Sequence, residues 1–403
     1  MKRFLSGDEA LAEGVRLARP QVISAYPITP QTVVVERLSE MVESGALEAE
    51  YIHVESEHSA LSAAMGASAT GARTFTATSS QGLLYMAEVL TYAAGGRFPI
   101  VMMNANRATA LPWNIYGDQR DSLSLLDHGW IQAYAQDNQE ALDMALMAYA
   151  IAEDPRVSTP FMVNLDGFAL THTYESVDVP DQSLADEFLP PYRTENRFDF
   201  EHPVNMGYSA GPECNRYFKY WAHRDMCDAV QVIDEVEARF ARVFGRAYPG
   251  VIADIVMVTL GSIAGLVREV VDGLRSSGFA AGVIRIRYMR PFPAAPLAAA
   301  LGSARAVGVL EKDVSFGAEG TVFTNVNSAL MQHGGRRALP TTMNFIGGLG
   351  GDDISAEQIE RAFEKLSQAV RADAAPSDRV LFLGIDDVDG GSGCGGSVEE
   401  VAR

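Results

Sequence analysis

Short apolar runs alternate with longer amphipathic stretches through the first 170 residues. Gln21–Ala25, Thr74–Thr78, Ile100–Asn104 and Phe161–Leu165 are brief and β-rich, which predicts strands. Ser56–Ala69, Gly82–Ala94 and Glu140–Ala152 carry the longer helical period between them. This alternation predicts an α/β fold with a doubly wound parallel sheet. In such sheets ligands bind beyond the carboxyl ends of the strands. The polar clusters Tyr26-Pro-Ile-Thr29, Ser79-Ser-Gln-Gly82, Asn106-Arg107 and Asp166-Gly167 all fall there, so they should converge on one edge. The first lies within Ser24-Ala-Tyr-Pro-Ile-Thr-Pro-Gln31, where Pro27 and Pro30 fix φ and exclude helix, presenting Tyr26 and Thr29 on a stiff loop.

From about Asp178 to Gly211 the period fails, and prolines, aromatics and charges mix in what reads as an irregular arm wrapped over the domain or a neighbour. A helix follows from Asp225 to about Phe244, with Val232, Val236, Phe240 and Val243 on one face and Gly245 at its end. A second α/β unit then begins near Asp254. Its strands are Ile255–Leu260, Ala281–Arg287, Arg305–Leu310 and Met343–Ile346, and its helices Ile263–Ser276, Gly320–Gln332 and Ile354 to about Val370. The expected division is residues 1–245 with the arm near 178–211, residues 250–372, and a tail over 373–403. The apolar run Val380–Ile385 could dock on another subunit, and the aspartates after it read as solvated tail.

Composition narrows the function classes. The chain has 403 residues, 47% hydrophobic and 21% charged, as expected of a globular protein with two or three domains. No apolar run reaches membrane-spanning length and Met1-Lys-Arg-Phe-Leu-Ser-Gly-Asp8 turns polar too soon for a signal-peptide core, so a cytoplasmic location is expected. A formal net charge of -20 argues against nucleic acid and anionic membrane as partners. It would also repel an acidic carrier such as a ferredoxin, which should then dock on another subunit. The three cysteines, Cys214, Cys227 and Cys394, form no C-x-x-C and cannot supply four thiolates for an iron–sulfur cluster. Any redox centre must belong to a partner chain or a bound cofactor.

The sequence lacks G-x-G-x-x-G after a strand, the P-loop, H-E-x-x-H and G-x-S-x-G, which removes nicotinamide, P-loop, zincin and α/β-hydrolase readings. Gly347-Gly-Leu-Gly-Gly-Asp352 is a turn into the last helix or a phosphate loop. Glu55 and Glu57 open the alanine-rich helix, either as stabilisers of its dipole or as a buried carboxyl of raised pKa facing a ligand ring nitrogen. Ser62, Ala63, Ala64 and Gly66 would let that helix pack closely and bury its first turn. Arg107 offers a planar fork for a substrate carboxylate, or an ion pair to Asp118 or Asp121. His53, His58, His128 and His172 show no metal-ligand spacing, and no metal ligand is assigned to this chain.

Taken in order, these segments resemble the alpha subunits of pyruvate:ferredoxin oxidoreductases and of relatives acting on branched-chain or aryl 2-oxo acids. The matching stretches are Ala25-Tyr-Pro-Ile-Thr-Pro30, Val54-Glu-Ser-Glu-His-Ser-Ala60, Ser79-Ser-Gln-Gly-Leu-Leu84, Asn106-Arg107 and Gly117-Asp-Gln-Arg-Asp121. Asp137-Asn-Gln-Glu-Ala141, Asp166-Gly-Phe168, Ile284-Arg-Ile-Arg-Tyr-Met-Arg-Pro-Phe-Pro293 and Leu310-Glu-Lys-Asp313 follow. The resemblance implies a first domain that binds the aminopyrimidine half of thiamine diphosphate and a second like the transketolase carboxyl-terminal domain. It implies that Glu57 hydrogen-bonds the pyrimidine N1′, that Tyr26, Pro27, Ile28, Ser80 and Gln81 also contact the cofactor, and that Thr29 and Arg107 bind the substrate.

The implied reaction is oxidative decarboxylation of a 2-oxo acid, pyruvate first, to acyl-coenzyme A and carbon dioxide. Electrons leave through [4Fe-4S] clusters to ferredoxin. The G-D-G motif for the diphosphate and Mg²⁺ is missing, so the resemblance places these on a beta subunit, beside gamma and ferredoxin-like delta subunits. The stretch Asn205–His223 is unusually aromatic. If it lines the pocket, an aromatic substrate such as phenylglyoxylate, giving benzoyl-coenzyme A with NAD as possible final acceptor, becomes an alternative; a branched-chain 2-oxo acid is another. A scaffold subunit is the non-enzyme alternative, against which intact Glu57, Thr29 and Arg107 speak.

Overall fold

A computed structural model describes residues 1–207, 209–248, 254–335, 339–372 and 380–385. The chain divides into two compact units, Met1–Pro249 with Arg287–Pro293, and Gly250–Ile286 with Ala294–Arg403.

The first unit is built on a seven-stranded sheet in the order Tyr288–Arg290, Ile131–Tyr134, Phe161–Asp166, Val101–Asn106, Thr74–Thr78, Val22–Ala25, Glu50–His53. All neighbours are parallel except the first pair. Every residue of the three central strands is buried, as both faces of a parallel sheet require. Alternation divides the core in two. Val101, Met103 and Ala105 enter a cluster with the helices Gly7–Ala18 and Asn138–Ala152, whereas Ile100 and Met102 enter another with Glu57–Ala69 and Ala87–Gly95. Lys2–Ser6 and Tyr174–Asp178 form a separate antiparallel pair.

The structure corrects several expectations. The helix expected over Gly82–Ala94 is two, Ser80–Tyr85 and Ala87–Gly95, joined at Met86. The helix expected from Asp225 runs Pro212–Phe244. Its first turns have no buried face, so no apolar stripe announces them. Gly245 closes it with φ 70°.

The arm wraps its own unit. The short helix Gln182–Phe188 sets the Phe188 ring edge-on to Phe240 at 5.3 Å, the Phe198 amide donates to the Ala69 carbonyl at 2.7 Å, and Asn196 Nδ2 donates to the Gly96 carbonyl at 2.9 Å. Arg97, just before the strand Val101–Asn106, pairs with Asp225 at 2.6 Å. The described part of the aromatic stretch Asn205–His223 therefore leads into Asp225 at the amino ends of the strands. The polar clusters lie at their carboxyl ends. Nothing in this placement supports the aromatic reading of the substrate.

The second unit carries a five-stranded parallel sheet, ordered Ala281–Ile286, Ile255–Leu260, Ala306–Glu311, Thr341–Ile346, Val380–Phe382. Val380–Phe382, expected in the tail, is thus an edge strand, with Leu383 buried beside it. The Gly347–Asp352 string contains a short 3₁₀ turn, Leu349–Gly351, ahead of the helix Ala356–Ala372. Glu311 is buried at the start of the helix Thr321–His333, where its carboxylate accepts from the Val322 amide at 2.8 Å and Asn344 Nδ2 at 2.7 Å. Residues 373–379 and 386–403, which include Cys394 and the aspartate-rich tail, lie outside the described residues.

One buried ion pair ties the arm down. Arg73 grips Glu153 through two bonds of 2.6 and 2.7 Å and also donates to the carbonyls of Ala18 and Pro190. Burial pushes the Glu153 carboxyl up, and the Arg73 charge opposes that rise. Arg73→Met should cost about 3 kcal/mol, because it strands a buried acid and two carbonyls. Urea unfolding measures the loss, and faster proteolysis between residues 190 and 207 should accompany it; an unchanged midpoint would show that the arm is held elsewhere.

Candidate active site

The four polar clusters emerge from adjacent strands, and a carboxylate from outside them holds three of their residues. Asp121, on the one-turn helix Arg120–Leu123, is fully buried. Its Oδ1 accepts from Asn106 Nδ2 at 2.8 Å and the Ser122 amide at 2.7 Å. Its Oδ2 accepts from the Ser80 amide at 3.0 Å, the Arg107 amide at 3.2 Å and Asn104 Nδ2 at 3.3 Å. Burial pushes this carboxyl up to about 6, against the lowering effect of the donors around it.

Those bonds fix a strained turn. Ser80 has φ 51°, a left-handed conformation that costs a non-glycine residue about 1 kcal/mol or more. Its amide is held by Asp121, and its hydroxyl donates to the Ala108 carbonyl at 2.7 Å with the Gln81 amide group 2.6 Å away. Ser79 Oγ donates to Ala105 O at 2.7 Å, so the turn is stitched to the neighbouring strand along its length.

Arg107 meets the loop before Gln31. Its Nη1 donates to the Thr29 carbonyl at 2.9 Å and its Nε to the Asn114 carbonyl at 3.3 Å, while the guanidinium lies 4.9 Å from the Trp113 ring centre. Asp121 takes the main-chain N–H of Arg107 and the guanidinium donates to the Thr29 and Asn114 carbonyls, so the expected ion-pair alternative does not form with Asp121. Burial holds the guanidinium below its usual value, opposed by the Asp121 charge. Gln31 pins the loop from below, its Nε2 donating to the Tyr26 carbonyl at 2.8 Å. Pro27 and Thr29 are left exposed, and Tyr26 and Ile28 half-buried. Gly167 closes the edge: a Cβ there would stand 2.3 Å from Asn106 O and 3.1 Å from Pro30 Cγ.

The two glutamates part company. Glu55 is exposed and accepts from Ser59 Oγ at 2.5 Å, which lowers its pKa. Glu57 is the first residue of the helix Glu57–Ala69, capped by Ser56. A Cβ at Gly82 would fall 2.7 Å from Glu57 Oε1, 2.8 Å from its Cγ and 2.6 Å from Thr78 Oγ1. The Glu57 carboxyl thus rests against the bare Gly82 Cα, where any Cβ would push it aside, beside a buried Thr78 hydroxyl without a hydrogen-bond partner. The first turn is half-buried rather than buried, and full burial begins at Ala60.

The structure joins Thr29 to Arg107 directly, and Arg107 to Ser80 through Asp121. Glu57 connects to the same edge through Gly82. Sequence reasoning passed over Asp121, Asn104, Asn106 and Gln31 as organisers. The available signal was Asn104-Ala-Asn106, which puts two amides on one face of a buried strand and demands polar partners there. Among the described residues no group of His, Cys, Asp and Glu could hold a metal ion, and no helix is long and apolar enough to cross a membrane.

Comparison with known proteins agrees with this architecture. Residues 13–238 match the family model for the thiamine-diphosphate-binding part of pyruvate flavodoxin/ferredoxin oxidoreductases, and residues 253–359 match pyruvate:ferredoxin oxidoreductase core domain II. Pyruvate synthase subunit PorA of Pyrococcus horikoshii is 45% identical over 377 residues, covering 92% of this chain and 95% of that one. Ketoisovalerate oxidoreductase subunit VorA of Pyrococcus abyssi is 44% identical over 380 residues, with 92% and 95% covered. A solved 2-oxoglutarate:ferredoxin oxidoreductase from Magnetococcus marinus shares the fold at TM-score 0.69 and 21% identity, covering 91% of this chain and 65% of that one. The chain belongs to the pyruvate:ferredoxin oxidoreductase family, as an alpha subunit of the thiamine-diphosphate-dependent 2-oxoacid oxidoreductases. It is one subunit of an enzyme complex.

Asp121 gives the site a pH signature. Its carboxyl titrates near 3.8 unfolded and near 6 folded, so the folded state holds the proton more tightly. That stabilisation is complete below the unfolded value and lost as pH rises through the folded one. Asp121→Asn cannot titrate. The stability of the native protein minus that of the variant should therefore fall by about 2 kcal/mol between about pH 4 and 7. Denaturant titrations at both pH values check this, and a pH-independent difference would remove Asp121 from the titration.

Proposed function

We propose that this chain forms the pyrimidine-side wall of a thiamine diphosphate site and orients a 2-oxo acid for decarboxylation. The observation that carries it is the Glu57 carboxyl set against the bare Gly82 Cα, on the strand-end edge where Thr29 and Arg107 meet. The close approach of Gly82 holds the Glu57 carboxyl at that edge, where it can meet a ring nitrogen of the cofactor. When bound, thiamine diphosphate supplies the carbon nucleophile and electron sink that a 2-oxo acid needs to lose carbon dioxide.

The chain's own residues do the rest. Glu57 holds a proton at the pyrimidine N1′, while Tyr26, Pro27, Ile28, Ser80 and Gln81 confine the ring. Thr29, exposed on its stiff loop, donates to the substrate carbonyl. Arg107, already bound to the Thr29 backbone, turns its fork toward the substrate carboxylate, where partial desolvation strengthens the pair. Asp121 is a positioning residue that acts through Ser80 and Arg107.

Pyruvate is the substrate read first and a branched-chain 2-oxo acid second, since similarity to the pyruvate and ketoisovalerate subunits is nearly equal. Coenzyme A takes the acyl group; the Magnetococcus enzyme was solved with coenzyme A and succinyl-CoA bound. The diphosphate and Mg²⁺ belong to a beta subunit and the [4Fe-4S] clusters to partner chains, because this chain has three cysteines and no G-D-G. Gamma and delta subunits complete the complex, and ferredoxin accepts the electrons. The cytoplasm is the compartment this reading requires.

In the assembled complex, Glu57→Gln should reduce acceptor reduction by about 100-fold or more while subunit assembly is unchanged. Arg107→Lys should raise KM for the 2-oxo acid by about tenfold, since a point charge replaces the fork. Initial rates with pyruvate and 3-methyl-2-oxobutanoate check both and rank the substrates. Near-native turnover by Glu57→Gln would overturn the assignment and revive the scaffold reading.

A further inference from the structure

Arg107 is clamped by the loop that follows it. The Ala108 amide donates to the Tyr116 carbonyl at 2.9 Å, which closes residues 109–115 into a loop with Arg107 at its base. One end is stitched to the strained turn, since Ser80 Oγ donates to the Ala108 carbonyl at 2.7 Å; the other rests Tyr116 on Phe168, with ring centres 4.9 Å apart. Asn114 Oδ1 accepts from the Tyr116 amide at 2.6 Å, so the Asn114 carbonyl that takes Arg107 Nε is itself held in place.

Within this loop Trp113 is 70% exposed, whereas Arg107 is 3% exposed. An indole so exposed adds little to the core, and its face meets the guanidinium, which lies over the ring at 4.9 Å from its centre. The ring quadrupole attracts the cation, and a weakly hydrated guanidinium loses little by lying there. The bonds from Nη1 to the Thr29 carbonyl and from Nε to the Asn114 carbonyl fix two points of the group. Two points leave it free to swing about the line between them. The indole supplies a third contact, which removes that freedom and keeps water from the side it occupies.

We infer that Trp113 is a positioning residue for the 2-oxo acid. It sets the tilt of the Arg107 fork, and a carboxylate meets both arms of a fork only at one tilt. This inference rests on the reading that Arg107 takes the substrate carboxylate. Because Trp113 acts through Arg107, its loss should weaken substrate binding and leave the chemical step alone.

Initial rates across pyruvate concentrations in the assembled complex test this. Trp113→Ala should raise KM about fivefold and change kcat by less than about twofold, while Trp113→Phe, which keeps an aromatic face, should stay within about twofold of native in both. Arg107→Gln leaves the indole no cation to hold. The double variant Arg107→Gln with Trp113→Ala should therefore show the KM of Arg107→Gln alone. If Arg107→Gln raises KM and Trp113→Ala does not, the inference falls and the Arg107 reading stands; if neither raises it, both fall. Additive losses in the double variant, failure of Trp113→Phe to restore KM, or a complex that no longer assembles with Trp113→Ala would each overturn the inference, because the indole would then act on something other than Arg107.

Discussion

A single buried carboxylate carries the organisation of the candidate site. Asp121 has no solvent contact, and its five donors come from the turn after one strand, from both amides of the next, from Arg107 and from its own helix. An anion in this position costs several kcal/mol to desolvate and is tolerable only when fully hydrogen-bonded. That cost makes the geometry stiff: moving Ser80 or Arg107 would leave charge uncompensated. The left-handed Ser80 and the main chain that carries the Arg107 fork are thus held by the same group, and a catalytic surface needs such preorganisation.

Much of this was legible in the chain. Four of the first sheet's seven strands, the stiff loop at Pro27 and Pro30, the second unit and the convergence of polar clusters follow from local pattern, because apolar period and proline chemistry act locally. Two kinds of feature escaped. The edge strands Glu50–His53 and Tyr288–Arg290 are short, and what makes them strands is a distant partner. The first half of Pro212–Phe244 has no buried face, so its helical period carries no hydrophobic signal.

At the site, residue type was informative and role was not. Asp121 stood in view as a possible ion-pair partner of Arg107, yet the structure gives it the Arg107 amide instead. Glu55 and Glu57 were indistinguishable by dipole reasoning. They separate only because Gly82, from another strand's turn, lies under one of them. Specificity of that kind comes from a close approach across the fold, which no spacing along the chain encodes.

The segment Arg287–Pro293 has a consequence for how this architecture can be inherited. It follows a strand of the second sheet, Ala281–Ile286, yet Tyr288–Arg290 completes the edge of the first, and Arg287 pairs with the fully buried Glu140 at 2.5 Å. A gene cut at the boundary near residue 249 would leave Ile131–Tyr134 as a bare edge and Glu140 without its cation. The two units are therefore not interchangeable cassettes. Recombination between relatives is expected to preserve them as one exchangeable block, with no break between residue 249 and Pro293.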